Sequence, residues 1–152
     1  MKQVQPMSLH VKLAVVVTVG LFTGTVAAAD LPAALVTPYL QVQSALAADQ
    51  FGDVGASAKA IEVAAAALGK DGEKLVASAK SLGAAKDIAA ARTAFGDLST
   101  ELIAYAERTK SSFGADVKQA YCPMANKAWL QKDKDIKNPY YGESMLTCGN
   151  FK

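Results

Sequence analysis

The stretch DIAAARTAFGDLSTELIAYAERTK, residues 87–110, carries the strongest amphipathic pattern in the chain. Its large apolar side chains recur every three or four residues, which places them on one face of an α-helix. They are Ile88, Ala91, Phe95, Leu98, Leu102 and Tyr105. Asp87, just before them, is a residue type that often caps a helix at its N-terminus. The pattern predicts a long helix from Asp87 to about Lys110 with one buried face.

Three shorter helices are predicted before this one, in a region rich in alanine, leucine, valine and lysine. The first is expected to start at Pro38 and to run toward Asp49, because proline fits the first turn of a helix. The second and third are expected over about residues 53–68 and 72–82, each followed by a glycine, which often ends a helix. Short connections between helices favour antiparallel neighbours. The expected fold class is therefore all-α, an up-and-down four-helix bundle.

The composition changes after the fourth helix, where alanine becomes scarce and prolines, glycines and aromatic residues take its place. The aromatic residues are Phe113, Tyr121, Trp129, Tyr140, Tyr141 and Phe151. A disordered segment is rarely so aromatic. We therefore predict an ordered, irregular C-terminal cap over residues 113–152, with a short extended piece at 117–121 and a helical turn at 125–131.

The N-terminus has the three parts of a secretory signal. It begins with two lysines and no acidic residue, continues with an apolar run from Leu13 to Val26, and ends in three alanines before Asp30. The run is shorter than the roughly 20 residues that a membrane-spanning helix needs. We predict a cleaved signal peptide over residues 1–29 and a single periplasmic domain over residues 30–152, with no membrane anchor after cleavage.

The charge and histidine content of the exported domain argue against several functions. The chain has 16 Lys and Arg against 14 Asp and Glu, and the predicted signal contains two of the lysines. The domain is then neutral and has no basic stripe for nucleic acid or for anionic lipid. The only histidine, His10, also lies in the signal. Because no nucleophile stands at a recognisable spacing from a base, we do not expect an enzyme.

All the sulfur of the predicted domain lies in the cap, at Cys122, Met124, Met145 and Cys148. In an exported chain, two cysteines most often form a disulfide, here Cys122 with Cys148. Such a bond would stabilise the cap by about 3 kcal/mol if its effect is purely on chain entropy. Alternatively, two thiolates and two thioethers make a soft ligand set that selects Cu(I) or Ag(I). Both interpretations require the cysteines to be neighbours, and the redox state would decide between them.

Three aromatic residues of the cap have two possible roles. Trp129, Tyr140 and Tyr141 could cover a bound cation with their ring faces and shield it from water. They could also be buried anchors that bring apolar area to a segment poor in aliphatic residues. We favour the anchoring role.

Three segments together resemble a known family. They are PYLQVQSALAADQ (38–50), RTAFGDLSTEL (92–102) and YCPMANKAWLQKDKDIKNPYYGESMLTCG (121–149). They are similar to a family of small exported helical domains of unassigned function, found alone or joined to the C-terminus of periplasmic adaptors of copper and silver efflux pumps. The most specific match is Cys-Pro-Met-Ala followed by Asn-Pro-Tyr-aromatic-Gly and Met-Leu-x-Cys-Gly.

The resemblance implies heavy-metal handling in the periplasm, with an efflux adaptor as a possible partner. The leading hypothesis is an accessory protein that binds Cu(I) or Ag(I) through the four sulfurs. The alternative is a protein-interaction module that a disulfide staples and that has no metal site.

Overall fold

The computed structural model describes residues 28–152, in which helices come first and a small sheet follows. The helices are α1 (Ala33–Ala47), α2 (Val54–Ala66), α3 (Glu73–Gly83) and α4 (Ile88–Thr109). The strands are β1 (Lys118–Cys122), β2 (Lys127–Gln131) and β3 (Asn150–Phe151). Single turns of 3₁₀-helix lie at Gly69–Gly72 and Gly142–Met145. Nearly all of the predicted signal peptide lies outside the described residues. Within residues 28–152, no helix has the length and apolarity to cross a membrane.

The all-α prediction is wrong, because the cap contains a three-stranded antiparallel sheet in the order β2-β1-β3. The stretch predicted as a helical turn at 125–131 contains the strand β2. Three consecutive residues of that strand, Trp129, Leu130 and Gln131, are all buried. A strand covered on both faces has no alternation of apolar and polar residues, so its sequence lacks the usual strand pattern.

The helical part of the prediction is confirmed, with one boundary corrected. The side chain of Asp87 accepts a hydrogen bond from Ala90 N–H at 2.8 Å and starts α4, which ends before Lys110, a residue in the left-handed region with φ 54°. Helix α1 begins earlier than expected, at Ala33, and Pro38 lies inside it. The proline at the start of this helix is Pro32, the residue just before Ala33.

The bundle and the sheet share one apolar core. Each helix packs on the next along the chain, and β2 packs against both α4 and α1. A row of aromatic rings crosses this junction: the centroid of Phe95 lies 4.9 Å from that of Tyr39 and 6.2 Å from that of Tyr140. Tyr140 in turn meets Trp129 edge-on at 5.7 Å, a favourable geometry for aromatic pairs. The cap is therefore part of the core.

The hydroxyl of Tyr39 joins three elements of the junction. It lies 2.7 Å from the hydroxyl of Ser99 on α4 and accepts a hydrogen bond from Leu130 N–H of β2 at 3.1 Å. Burial raises the pKa of Tyr39, so the phenol stays neutral at any ordinary pH. Tyr140 makes a second bond of this kind, since its hydroxyl donates to the carbonyl of Ala128.

Arg92 of α4 links the end of α1 to the segment after β2. Its Nε donates to the Pro139 carbonyl at 3.1 Å and its Nη2 to the Leu46 carbonyl at 3.0 Å. It also forms an ion pair with Asp49, whose carboxylate accepts the Glu143 N–H at 3.3 Å. The hydrogen bond and charge of Arg92 hold the pKa of Asp49 below its usual value.

Replacing Tyr39 by phenylalanine should destabilise the protein by about 1–3 kcal/mol, because the buried Leu130 N–H would lose its acceptor. Urea unfolding followed by circular dichroism measures this change. The matched control is Tyr105→Phe, at a half-buried tyrosine of α4, which should change stability by about 0.5 kcal/mol or less. Equal losses for the two variants would contradict the assigned role.

The ion pair predicts a specific dependence on pH. A carboxyl whose pKa is lower in the folded state stabilises the fold above its unfolded pKa, near 3.8, and loses this contribution as the pH falls through the folded value. Asp49→Asn should therefore be less stable than the native chain at neutral pH, and the difference should shrink below about pH 4. Asparagine also tolerates the left-handed φ of 55° at this position. Urea midpoints of the native chain and of Asp49→Asn, measured from pH 7 to pH 2.5, test this pH dependence. A stability difference that stays constant over this range would contradict it.

A candidate dithiol site

Cys122 is the last residue of β1 and stands at the start of a tight hairpin loop. Pro123 to Asn126 form the loop, closed by a hydrogen bond from Asn126 N–H to the Pro123 carbonyl at 3.3 Å. Asn126 has φ 50°, in the left-handed region that asparagine tolerates. The turn points the N–H of Ala125 at the sulfur of Cys122, 3.4 Å away. The Cys-Pro-Met-Ala segment thus supplies a hydrogen-bond donor to the sulfur of its own cysteine.

Cys148 reaches the site from the end of the chain, just before β3. Its N–H donates to the Met145 carbonyl at 3.0 Å, which closes the turn of chain that leads to it. Because Tyr121 pairs with Asn150, Gly149 lies opposite Cys122 along the same ladder. The two cysteine sulfurs lie 3.4 Å apart, and both residues are free thiols. The structure therefore brings together the two cysteines that the sequence singled out.

Gly149 is required for this approach. It has φ 142°, a conformation that side chains disfavour. A Cβ there would lie 2.8 Å from Cη2 of Trp129 and 3.0 Å from the Tyr121 carbonyl oxygen. Only glycine lets the chain pass this close to the indole ring and still place Cys148 beside Cys122.

The two thiols have different environments. Burial opposes ionisation of Cys122, but the polar groups around its sulfur, chiefly the Ala125 N–H and Cys148, outweigh it, so its pKa lies below the ordinary value. The hydrogen bond with Cys122 raises the pKa of Cys148, and burial and the nearby charge add to this effect. Cys122 is fully buried and Cys148 half-buried.

Asn138 joins the parts of the site. Its side chain is fully buried and donates to the Cys148 carbonyl at 2.6 Å. Its Oδ1 accepts the N–H of Tyr140 at 2.8 Å, and its own N–H donates to the Leu146 carbonyl at 2.8 Å. An Asn-Pro pair between two cysteine segments was the available signal, but a turn alone explains it equally well in sequence.

The two methionines differ in exposure. Met124 is 63% exposed at the tip of the hairpin, so it does not fill the interior of the bundle. Met145 is half-buried in the 3₁₀-turn that precedes Cys148. Across residues 28–152, no group of three or more His, Cys, Asp or Glu could hold a metal ion.

The aromatic residues near the pair are placed as anchors of the cap. Trp129 is fully buried, and its Nε1–H donates to Gln131 Oε1 at 2.9 Å. The edge of its ring lies against Gly149, next to Cys148. Tyr140 is buried and Tyr141 half-buried. Trp129 thus contacts the cysteine segment through Gly149.

Replacing Gly149 by alanine should lower stability by roughly 1–3 kcal/mol more than replacing Gly114, because the new Cβ meets Trp129 and the Tyr121 carbonyl. Gly114 is a matched control, since it also has a positive φ, 95°, but a Cβ there would meet nothing within 4 Å. Urea unfolding of both variants measures the difference. Similar losses would mean that backbone conformation alone requires Gly149.

The comparisons with known proteins identify the helical part. A family model described as "Protein of unknown function (DUF3347)" matches residues 35–114, which run from α1 to just past α4. No curated protein and no solved structure matches the chain. The match ends before β1, so the cysteine segments lie outside it. Since the matched region is more than half of the 152 residues, the chain belongs to the DUF3347 family of proteins of unknown function.

Proposed function

We propose that the protein is an exported accessory protein that binds one Cu(I) or Ag(I) ion between the sulfurs of Cys122 and Cys148. The observation that carries this proposal is the distance of 3.4 Å between the two sulfurs. Two thiolates at about 2.3 Å from one tetrahedral ion stand roughly 3.8 Å apart, borrowing the zinc distance. A disulfide requires about 2.05 Å. In a tetrahedral site the sulfurs would therefore move less to hold an ion than to bond to each other.

The choice of metal follows from the ligand types. Thiolates and thioethers are soft ligands that suit Cu(I) and Ag(I), whereas Mg²⁺ and Ca²⁺ prefer oxygen. Met145 is three residues from Cys148 and Met124 two from Cys122, so either thioether can supply a further ligand after a local adjustment of its side chain. The N–H donors around Cys122 favour its thiolate, the form that binds metal.

The place of this activity in the cell rests on the N-terminal pattern and on the resemblance described above. A signal peptide over residues 1–29 would deliver the domain to the periplasm. The resemblance to domains joined to copper and silver efflux adaptors suggests that the ion is passed to such an adaptor. In this role the protein buffers or transfers the ion and carries out no catalysis.

Titration of the reduced protein with Cu(I) tests the proposal, in the absence of oxygen and with a chromogenic chelator as competitor. One ion per chain should bind, and Cys122→Ser or Cys148→Ser should each weaken binding by at least about tenfold because one thiolate is lost. Thr147→Ala, at an exposed position beside Cys148, is the control and should bind as the native chain does.

The thioether ligands are tested with Met124→Leu and Met145→Leu, which nearly conserve volume. A variant that weakens Cu(I) binding identifies its methionine as a ligand, and unchanged affinity in both would restrict the site to the two thiolates. Equal affinity for Cu(I) in the native chain and in the double variant Cys122→Ser, Cys148→Ser would overturn the proposed function. Circular dichroism of each variant confirms that the fold is retained.

A further inference from the structure

The two cysteines of the Cys122–Cys148 pair differ in their exposure to solvent. Cys122 is fully buried at the end of β1, whereas Cys148 is half-buried. A molecule arriving from solvent therefore reaches Cys148 first. At 3.4 Å, Cys122 is then already close enough to attack whatever becomes bonded to the sulfur of Cys148.

We propose that the pair exchanges with external disulfides, with Cys148 as the entry sulfur and Cys122 as the resolving sulfur. The proposal does not depend on metal binding. The substrate class is a small or flexible disulfide, because only such a molecule can approach a half-buried thiol beside the hairpin.

The reaction balances in two steps. Cys148 reacts first because its sulfur is the accessible one: as a thiolate it attacks one sulfur of the external disulfide, forms a mixed disulfide and releases the first external thiol. The Cys122 sulfur then attacks Cys148, forms the internal disulfide and releases the second thiol. The protein loses two electrons to the external disulfide, and its two thiol protons end on the two released thiols. The two protein sulfurs close from 3.4 Å to about 2.05 Å in this step.

The hydrogen-bond donors at Cys122 favour the same order in the reverse direction. An external thiolate attacks the accessible Cys148 sulfur of the internal disulfide, and Cys122 leaves as a thiolate. The N–H of Ala125, 3.4 Å away, donates to that sulfur and stabilises its charge. A better stabilised leaving sulfur departs faster. In both directions the external molecule therefore reacts at Cys148, and Cys122 reacts only with Cys148.

Glutathione disulfide is the probe, added to the reduced, metal-free native chain without oxygen and in the presence of a chelator. The products are quenched in acid and identified by mass. The native chain should end as the internal disulfide with two glutathione thiols released per chain. Cys122→Ser should stop at a mixed disulfide on Cys148, with one released. Cys148→Ser should react at least about tenfold more slowly, because its remaining thiol is buried.

Two results would overturn the proposal. One is a mixed disulfide on Cys122 that forms in Cys148→Ser as fast as the one on Cys148 forms in Cys122→Ser. The other is a native chain that accumulates the mixed disulfide without closing the internal bond. If the serine variants do not fold, peptide mapping of native chain quenched within the first turnover decides, since the glutathione must be found on Cys148. Normal Cu(I) uptake alongside either result would leave the metal proposal intact.

Discussion

The hydroxyl of Tyr39 fixes how the sheet sits on the helices, and the geometry of the dithiol depends on that placement. It bonds to Ser99 of α4 and accepts the N–H of Leu130 in β2, while its ring stacks on Phe95. A buried polar group is tolerated only when its partners are in place, so this contact specifies one position of β2 against α1 and α4. In the described part of the chain, every buried side-chain nitrogen and oxygen atom has a partner. The position of β2 sets that of β1, and therefore that of Cys122.

The sequence predicted the helices well because their information is local and periodic. Asp87, the repeat of apolar residues after it, and the glycines between segments each act within a few residues. The sheet was missed because β2 is buried on both faces and β3 has only two residues, Asn150 and Phe151. Neither strand therefore shows the alternation of apolar and polar residues by which a strand is recognised in a sequence. Strand pairing here depends on contacts that the helices provide.

The sequence predicted which residue types form the site, but not that the two sulfurs differ in burial and in hydrogen-bond partners. Two cysteines with a turn between them predict that the sulfurs meet. The depth of each sulfur is set by the sheet, the donor to Cys122 comes from a hairpin turn, and the buried Asn138 holds the Cys148 carbonyl. Gly149 was noted only as part of a motif, although its contact with Trp129 shows why a side chain does not fit there. Such requirements arise from close packing of distant segments and leave no trace in composition or spacing.

The bonds of Tyr39 and Tyr140 to β2 also bear on aggregation. The outer edge of a sheet offers free N–H and C=O groups to any passing strand. In β2 the N–H of Leu130 is taken by the Tyr39 hydroxyl, and the carbonyl of Ala128 accepts the Tyr140 hydroxyl. On the opposite side, the edge strand β3 is only two residues long. Phenol groups therefore occupy two backbone groups of one edge strand and the other edge strand is very short, and both features oppose growth of the sheet by strand addition.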